Sequence, residues 1–199
     1  MVRIKEPLVA RRVFVNPIYK DKATVLKTSE DTNGQYLLGE LEVSPGGGNS
    51  LHVHKAFTET FTAVKGILGV RFKNKQLYLR PGESITVPIN TPHCFFNDGD
   101  ETIVCHVKLA PAHEGFVKGI AIGYGLASDG LTNKKGIPKS ITHLALLVSL
   151  TDTRPYGALG LLMSLFKWLA KRARKKGLEE RLLNRYYYQN TPTAKAAAR

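Results

Sequence analysis

Residues 46–66 read GGGNSLHVHKAFTETFTAVKG, and residues 81–97 read PGESITVPINTPHCFFN. Four side chains able to bind a metal stand in these two runs: His52, His54, Glu59 and His93. The surrounding residues alternate and are bounded by glycine and proline, as β-strands are. His52 and His54 are two apart, so on a strand both imidazoles project from one face. Lys55 to Thr58 can turn the chain, which lets Glu59 open a return strand beside them. His93 follows on a later strand that can close the ring. Imidazole and carboxylate donors suit Fe, Mn, Ni, Cu or Zn. Four protein ligands leave one or two positions open on a metal that prefers six, and there water, dioxygen or a substrate binds. The bland alternative is that each His is a hydrogen-bonded polar residue, with His-x-His a chance pair on a solvent-facing strand.

Working outward, short strand patterns recur with turns between them. Val13–Val15, Ala23–Lys27 and Tyr36–Val43 precede the first run, with Glu30–Gly34 as a turn carrying an Asn-Gly hairpin signal. Ser44–Asn49 is a glycine-rich loop. No Lys-Ser/Thr pair follows it and no helical pattern, so it reads as a turn needing unusual backbone angles and not as a phosphate cradle. Ile67–Phe72, Gln76–Leu79, Ser84–Val87, His93–Phe96 and Thr102–Leu109 continue the series. Regularly spaced short strands with Gly and Pro turns indicate a sandwich or barrel.

After Pro111 the texture becomes helical. His113–Leu126 carries Phe116, Ile120 and Tyr124 at four-residue spacing, against three interior glycines that oppose a helix. Pro138–Leu150 reads as a second helix with Pro in its first turn. Tyr156–Lys176 reads as a third, with Ala158, Leu162, Leu165, Phe166, Leu169 and Ala173 as its apolar stripe. Its last turns are basic. Docking of this helix on the barrel or on a partner subunit outranks two other readings, a membrane-surface helix and a nucleic-acid contact. The division expected is a barrel with an N-terminal arm over 1–110, a helical extension over 111–190 and a disordered tail over 191–199.

Composition narrows the class without naming the chemistry. The 199 residues carry a net charge of +13. Residues 167–199 hold 10 Lys/Arg against 2 Asp/Glu, so most of that charge belongs to the C-terminal part. No opening apolar run resembles a signal peptide, and the expected location is cytoplasmic. The two cysteines, Cys94 and Cys105, lie in apolar strand contexts and read as buried thiols.

The two runs resemble the motifs of the cupin superfamily. The first motif, G-x5-H-x-H-x3,4-E-x6-G, is met by Gly46, His52, His54, Glu59 and Gly66. The second, G-x5-P-x-G-x2-H-x3-N, is met by Gly82, Pro88, His93 and Asn97, with Asn90 where the family has its middle glycine. Asn tolerates left-handed backbone angles, so the turn survives the change. The resemblance covers roughly residues 35 to 110. It implies a mainly β fold, a double-stranded β-helix or jelly-roll barrel, followed here by C-terminal α-helices. It also implies a three-His-one-Glu site for one divalent transition metal (Fe, Mn, Ni or Zn), and a homodimer.

The function expected is a metal-dependent enzyme, dioxygenase-like or an isomerase, acting on a small-molecule ligand inside the barrel. A non-catalytic ligand-binding or sensor cupin is the alternative, and association through the basic C-terminal helix is a second. Phe61 shares strand parity with Glu59 and His106 lies on the last barrel strand. Both are taken as candidate substrate-binding residues, with a surface or hydrogen-bonded structural role as the equal alternative for His106.

Overall fold

The computed structural model describes residues 8–155 and 162–190. Its strands in chain order are β1 (Leu8–Ala10), β2 (Val13–Asn16), β3 (Asp21–Lys27), β4 (Leu37–Val43), β5 (His52–Val53), β6 (Thr58–Lys65), β7 (Leu68–Phe72), β8 (Gln76–Leu79), β9 (Ser84–Val87), β10 (His93–Phe96) and β11 (Ile103–Ala110). The helices α1 (Gly115–Ser128) and α2 (Ile141–Thr151) follow, then β12 (Arg154–Pro155), α3 (Met163–Lys175), α4 (Leu178–Tyr186) and β13 (Tyr188–Asn190). The turns between the strands are set by residues that accept positive φ. Gly46, Gly48, Gly66 and Gly82 all adopt it, and Asn90 does so at 61°, which is how it replaces the expected glycine.

Two antiparallel sheets face each other. One has the order β2-β3-β4-β11-β6-β9 and the other β12-β5-β10-β7-β8. Alternation decides which side of each strand is buried. On β11, Ile103, Cys105, Val107 and Leu109 point inward, and Val104, His106 and Lys108 point away. The smaller sheet covers only part of the larger one. Helix α1 closes the rest, setting Val117, Ala121 and Tyr124 into the same apolar core as Val43, Phe61 and Leu109. The other side of α1 packs with α2, α3 and α4 in a second core around Ile122, Leu146, Phe166 and Leu183.

Three findings depart from the sequence reading. Helix α2 starts at Ile141, capped by Ser140, whose Oγ accepts from the His143 amide, so Pro138 lies before it. Helix α4 and the short strands β1, β12 and β13 have no counterpart in that reading. Of the expected third helix, residues 156–161 lie outside the described residues, as do residues 191–199 of the expected tail. Within α3 the buried edge is Phe166, Ala170 and Ala173, while Leu162 and Leu165 are exposed. Phe166 and Ala173 of the expected stripe are thus buried and Leu169 packs against the second core, while its Leu162 and Leu165 edge turns outward.

Candidate metal centre

His52 opens the smaller sheet's strand β5, directly opposite His93 on β10. Glu59 is the second residue of β6 in the larger sheet, opposite Val87. Pairing thus brings residues from both sheets to one point. One ligand atom from each of His52, His54, Glu59 and His93 lies within 4.8 Å of all the others, and all four residues are buried.

Backbone carbonyls orient two of the rings. His52 Nδ1 lies 2.9 Å from the Ser50 carbonyl, and His93 Nδ1 lies 2.9 Å from that of Thr91. A carbonyl only accepts, so Nδ1 carries the proton and each Nε2 presents a lone pair. These lone pairs face inward: His52 Nε2 is 3.0 Å from His54 Nε2, and His93 Nε2 is 2.7 Å from Glu59 Oε2. His54 Nε2 is 3.6 Å from the same carboxylate oxygen. His54 Nδ1 is buried and makes no hydrogen bond among the described residues. Two imidazole lone pairs and a carboxylate converging in a buried site is a costly arrangement for bare groups and a suitable one around a cation. The residues therefore fit a divalent metal.

The electrostatics agree for His52, while His93 and Glu59 attract each other as an ion pair whose proton a metal would displace. Burial, with the neighbouring His54 and His93, pushes His52 down to about 3, so its imidazole is neutral and able to ligate. Burial works to raise the Glu59 carboxyl, but hydrogen bonds and charge from His54 and His93 outweigh it and hold it well below the usual carboxylate range. Burial likewise works against the His93 imidazolium, and Glu59 more than offsets it, so His93 is raised.

The helical layer reaches into this site, which sequence reasoning missed. Asp152, just past α2, accepts hydrogen bonds from the Lys55 and Ala56 amides at 2.6 and 2.8 Å. Those residues form the turn between His54 and Glu59. Arg154 holds the other Asp152 oxygen at 3.1 Å, and β12 pairs with β5, setting Pro155 opposite His52. Phe57 and Phe116 pack against the His54 ring at 4.5 and 6.1 Å between centroids.

The two remaining candidates fall elsewhere. Phe61 is fully buried behind the ring of ligands, 6.1 Å from both the His93 and Phe95 rings, and is not among the cavity-lining residues. His106 lies on the outward face of β11, partly exposed, 3.3 Å from Glu40, which is the surface, hydrogen-bonded reading of that residue. Its immediate neighbours Cys105 and Val107 point inward, so β-strand parity turns it out. That alternation was present in the sequence.

A cavity of about 270 Å³ opens on His52, His54 and Glu59. It runs between the larger sheet, at Leu37 and Leu41, and the helices, at Ile120, Leu144 and Leu147. Its wall is predominantly apolar.

The cupin domain family (Cupin_2) matches residues 39–107. Quercetin 2,3-dioxygenase from Bacillus subtilis (strain 168) is 26% identical over 100 residues, which are 50% of this chain and 30% of that protein. The match thus spans less than a third of the curated relative's length. Among solved structures, the cupin domain of an XRE family transcriptional regulator from Enterobacter cloacae is 15% identical, covering 46% of this chain and 96% of that one at a TM-score of 0.42. The polyketide cyclase RemF from Streptomyces resistomycificus is 23% identical over 55% of this chain and 79% of its own, at 0.43. An RmlC-like cupin from Shewanella frigidimarina is 16% identical over 58% and 93%, at 0.44.

Proposed function

Starting from a barrel that belongs to the cupin superfamily, we propose that the chain is a metal-dependent enzyme of dioxygenase type. Its substrate is a small, largely apolar molecule bound in the barrel. The observation that carries this reading is the cavity that ends on His52, His54 and Glu59. A divalent Fe, Mn, Ni or Zn ion held by His52, His54, Glu59 and His93 would supply a Lewis-acid centre with ligand positions beyond the protein's four.

The chain's own residues define what can reach it. Leu37, Leu41 and Ile120 offer no hydrogen bond, so the body of the substrate is apolar and its oxygen donors sit at the end nearest the histidines. Phe57 and Phe116 shield His54 from water. Quercetin, named by the relative, is a planar aromatic molecule with adjacent hydroxyl and keto oxygens, and is tested first beside flavonol, which keeps those two oxygens and lacks the hydroxyls that quercetin carries on its other rings.

The test has two stages. Protein purified without chelator is analysed for metal, and oxygen uptake is then followed with quercetin. No bound metal, together with no binding on titration with Fe, Mn, Ni and Zn, sinks the reading. His52→Ala and Glu59→Ala each remove one of four ligands and lower occupancy at least about tenfold. Unchanged occupancy in both variants would falsify the site. A second reading, ligand binding without turnover, draws on the burial of all four residues beneath α1. Saturable quercetin binding to metal-loaded protein with no oxygen uptake selects it.

A further inference from the structure

Helix α3 buries one edge and exposes an unusual one. Opposite Phe166, Ala170 and Ala173 stand Leu165 at 42% and Trp168 at 57% exposure, with Leu162 at the helix start also exposed. Further along the same edge come Arg172 and Lys175, flanked by Lys171 and Lys176, all exposed. The Arg172 guanidinium lies 5.8 Å from the centroid of the Trp168 ring. Arg174 is turned to the other flank, to Glu179 and Ser149. No acidic residue occurs anywhere on α3, and none in the preceding residues 156–162.

We propose that this edge of α3 docks on an anionic lipid surface. The exposed apolar side chains of its N-terminal half, Leu162, Leu165 and Trp168, enter the boundary between acyl chains and headgroups. Lys171, Arg172, Lys175 and Lys176 of its C-terminal half meet the phosphates. Tryptophan suits that boundary because its ring is apolar and its indole N–H needs a polar partner. Lysine and arginine stems follow the apolar surface while their charges stay in water. The helix is too short to cross a bilayer, so the contact is peripheral. A nucleic acid would reward the cations but give Leu162 and Leu165 nothing. A second copy would set one basic edge against another. The proposal does not depend on the metal reading.

Trp168 is the chain's single tryptophan, so its fluorescence reports this surface alone. The full chain is titrated with vesicles of phosphatidylcholine, and with the same vesicles containing phosphatidylglycerol. The expected result is a blue shift and co-sedimentation with the anionic vesicles only, weakened by salt. A variant carrying Lys171→Gln, Arg172→Gln and Lys175→Gln loses roughly a hundredfold in vesicle affinity. Leu165→Glu abolishes the binding. Both changes are on the surface, and the thermal melt and metal binding stay as in the parent. No blue shift on anionic vesicles overturns the proposal, as does undiminished binding by Leu165→Glu. A shift that depends on protein concentration alone assigns the edge to a second copy. Binding of duplex DNA without vesicle binding assigns it to nucleic acid. Either result also overturns it.

Discussion

Two aspartates carry the most specific expectations at the residue scale. Asp152 spans two amides of the turn that joins His54 to Glu59. Asp152→Ala leaves the four ligands in place but frees that turn, so metal affinity falls by about 10- to 100-fold. An unchanged metal dissociation constant, by competition with a chromogenic chelator, rules out this positioning role. Asp21 is different. It is 3% exposed, takes a hydrogen bond from Tyr124 at 2.7 Å through one oxygen, and leaves the other unpaired among the described residues. Burial raises its carboxyl to about 7. A carboxyl raised on folding stabilises the protonated form. Stability from this group is therefore greatest below the unfolded value near 4, and is lost as pH rises toward 7. Asp21→Asn keeps an acceptor for Tyr124 and removes the titration. It stabilises the protein by about 2 to 4 kcal/mol at pH 8 and by little at pH 4. Equal melting shifts at both pH values contradict this. The ligand ring was legible in the sequence because spacing on strands sets facing. Asp152 was not, because its partners lie almost a hundred residues away and nothing local marks them.

The glycines of α1 explain why that helix was hard to read. They oppose a helix by intrinsic propensity, yet the helix forms because its two faces enter two cores. A Cβ at Gly125 would lie 2.2 Å from the Tyr186 ring on α4, and one at Gly119 would lie 2.2 Å from Thr151. Those glycines admit close neighbours. At Gly123 the nearest atom, on Leu147, is 3.5 Å away, an ordinary contact. The two positions should therefore respond oppositely to alanine. Gly125→Ala forces α4 off α1 and costs about 2 to 4 kcal/mol. Gly123→Ala gains up to about 1 kcal/mol through helix propensity. Denaturant melts that move in the same direction for both refute the distinction. Helix α4 carried a readable pattern, Leu178, Leu182, Leu183 and Tyr186. The strands β12 and β13 span two and three residues and take their structure from the partners they pair with.

Across the whole molecule, the family match and the folding unit have different boundaries. The match covers residues 39–107, yet the barrel core continues into α1. The larger sheet extends past the smaller one at β2, β3 and β4, and α1 supplies the missing wall. Phe116, Val117, Ile120 and Tyr124 all pack against the barrel core. At roughly 1.5 to 3 kcal/mol for each fully buried large apolar side chain, and less for the half-buried Phe116 and Ile120, their loss removes on the order of 5 to 10 kcal/mol. A domain of this kind has only about 5 to 15 kcal/mol in total. A chain ending at Ala112 would also lack the Asp152 contacts to the metal-binding turn and the β12 strand beside His52. It should therefore fail to fold, binding a hydrophobic dye, showing no cooperative melt and taking up no metal. A truncated chain that melts cooperatively and binds metal as the full chain does would show that the barrel stands alone. The expected failure follows from the same contacts that form the cavity. The wall completing the barrel core also bounds the space beside the histidines, so in this chain fold stability and ligand selection depend on one helix.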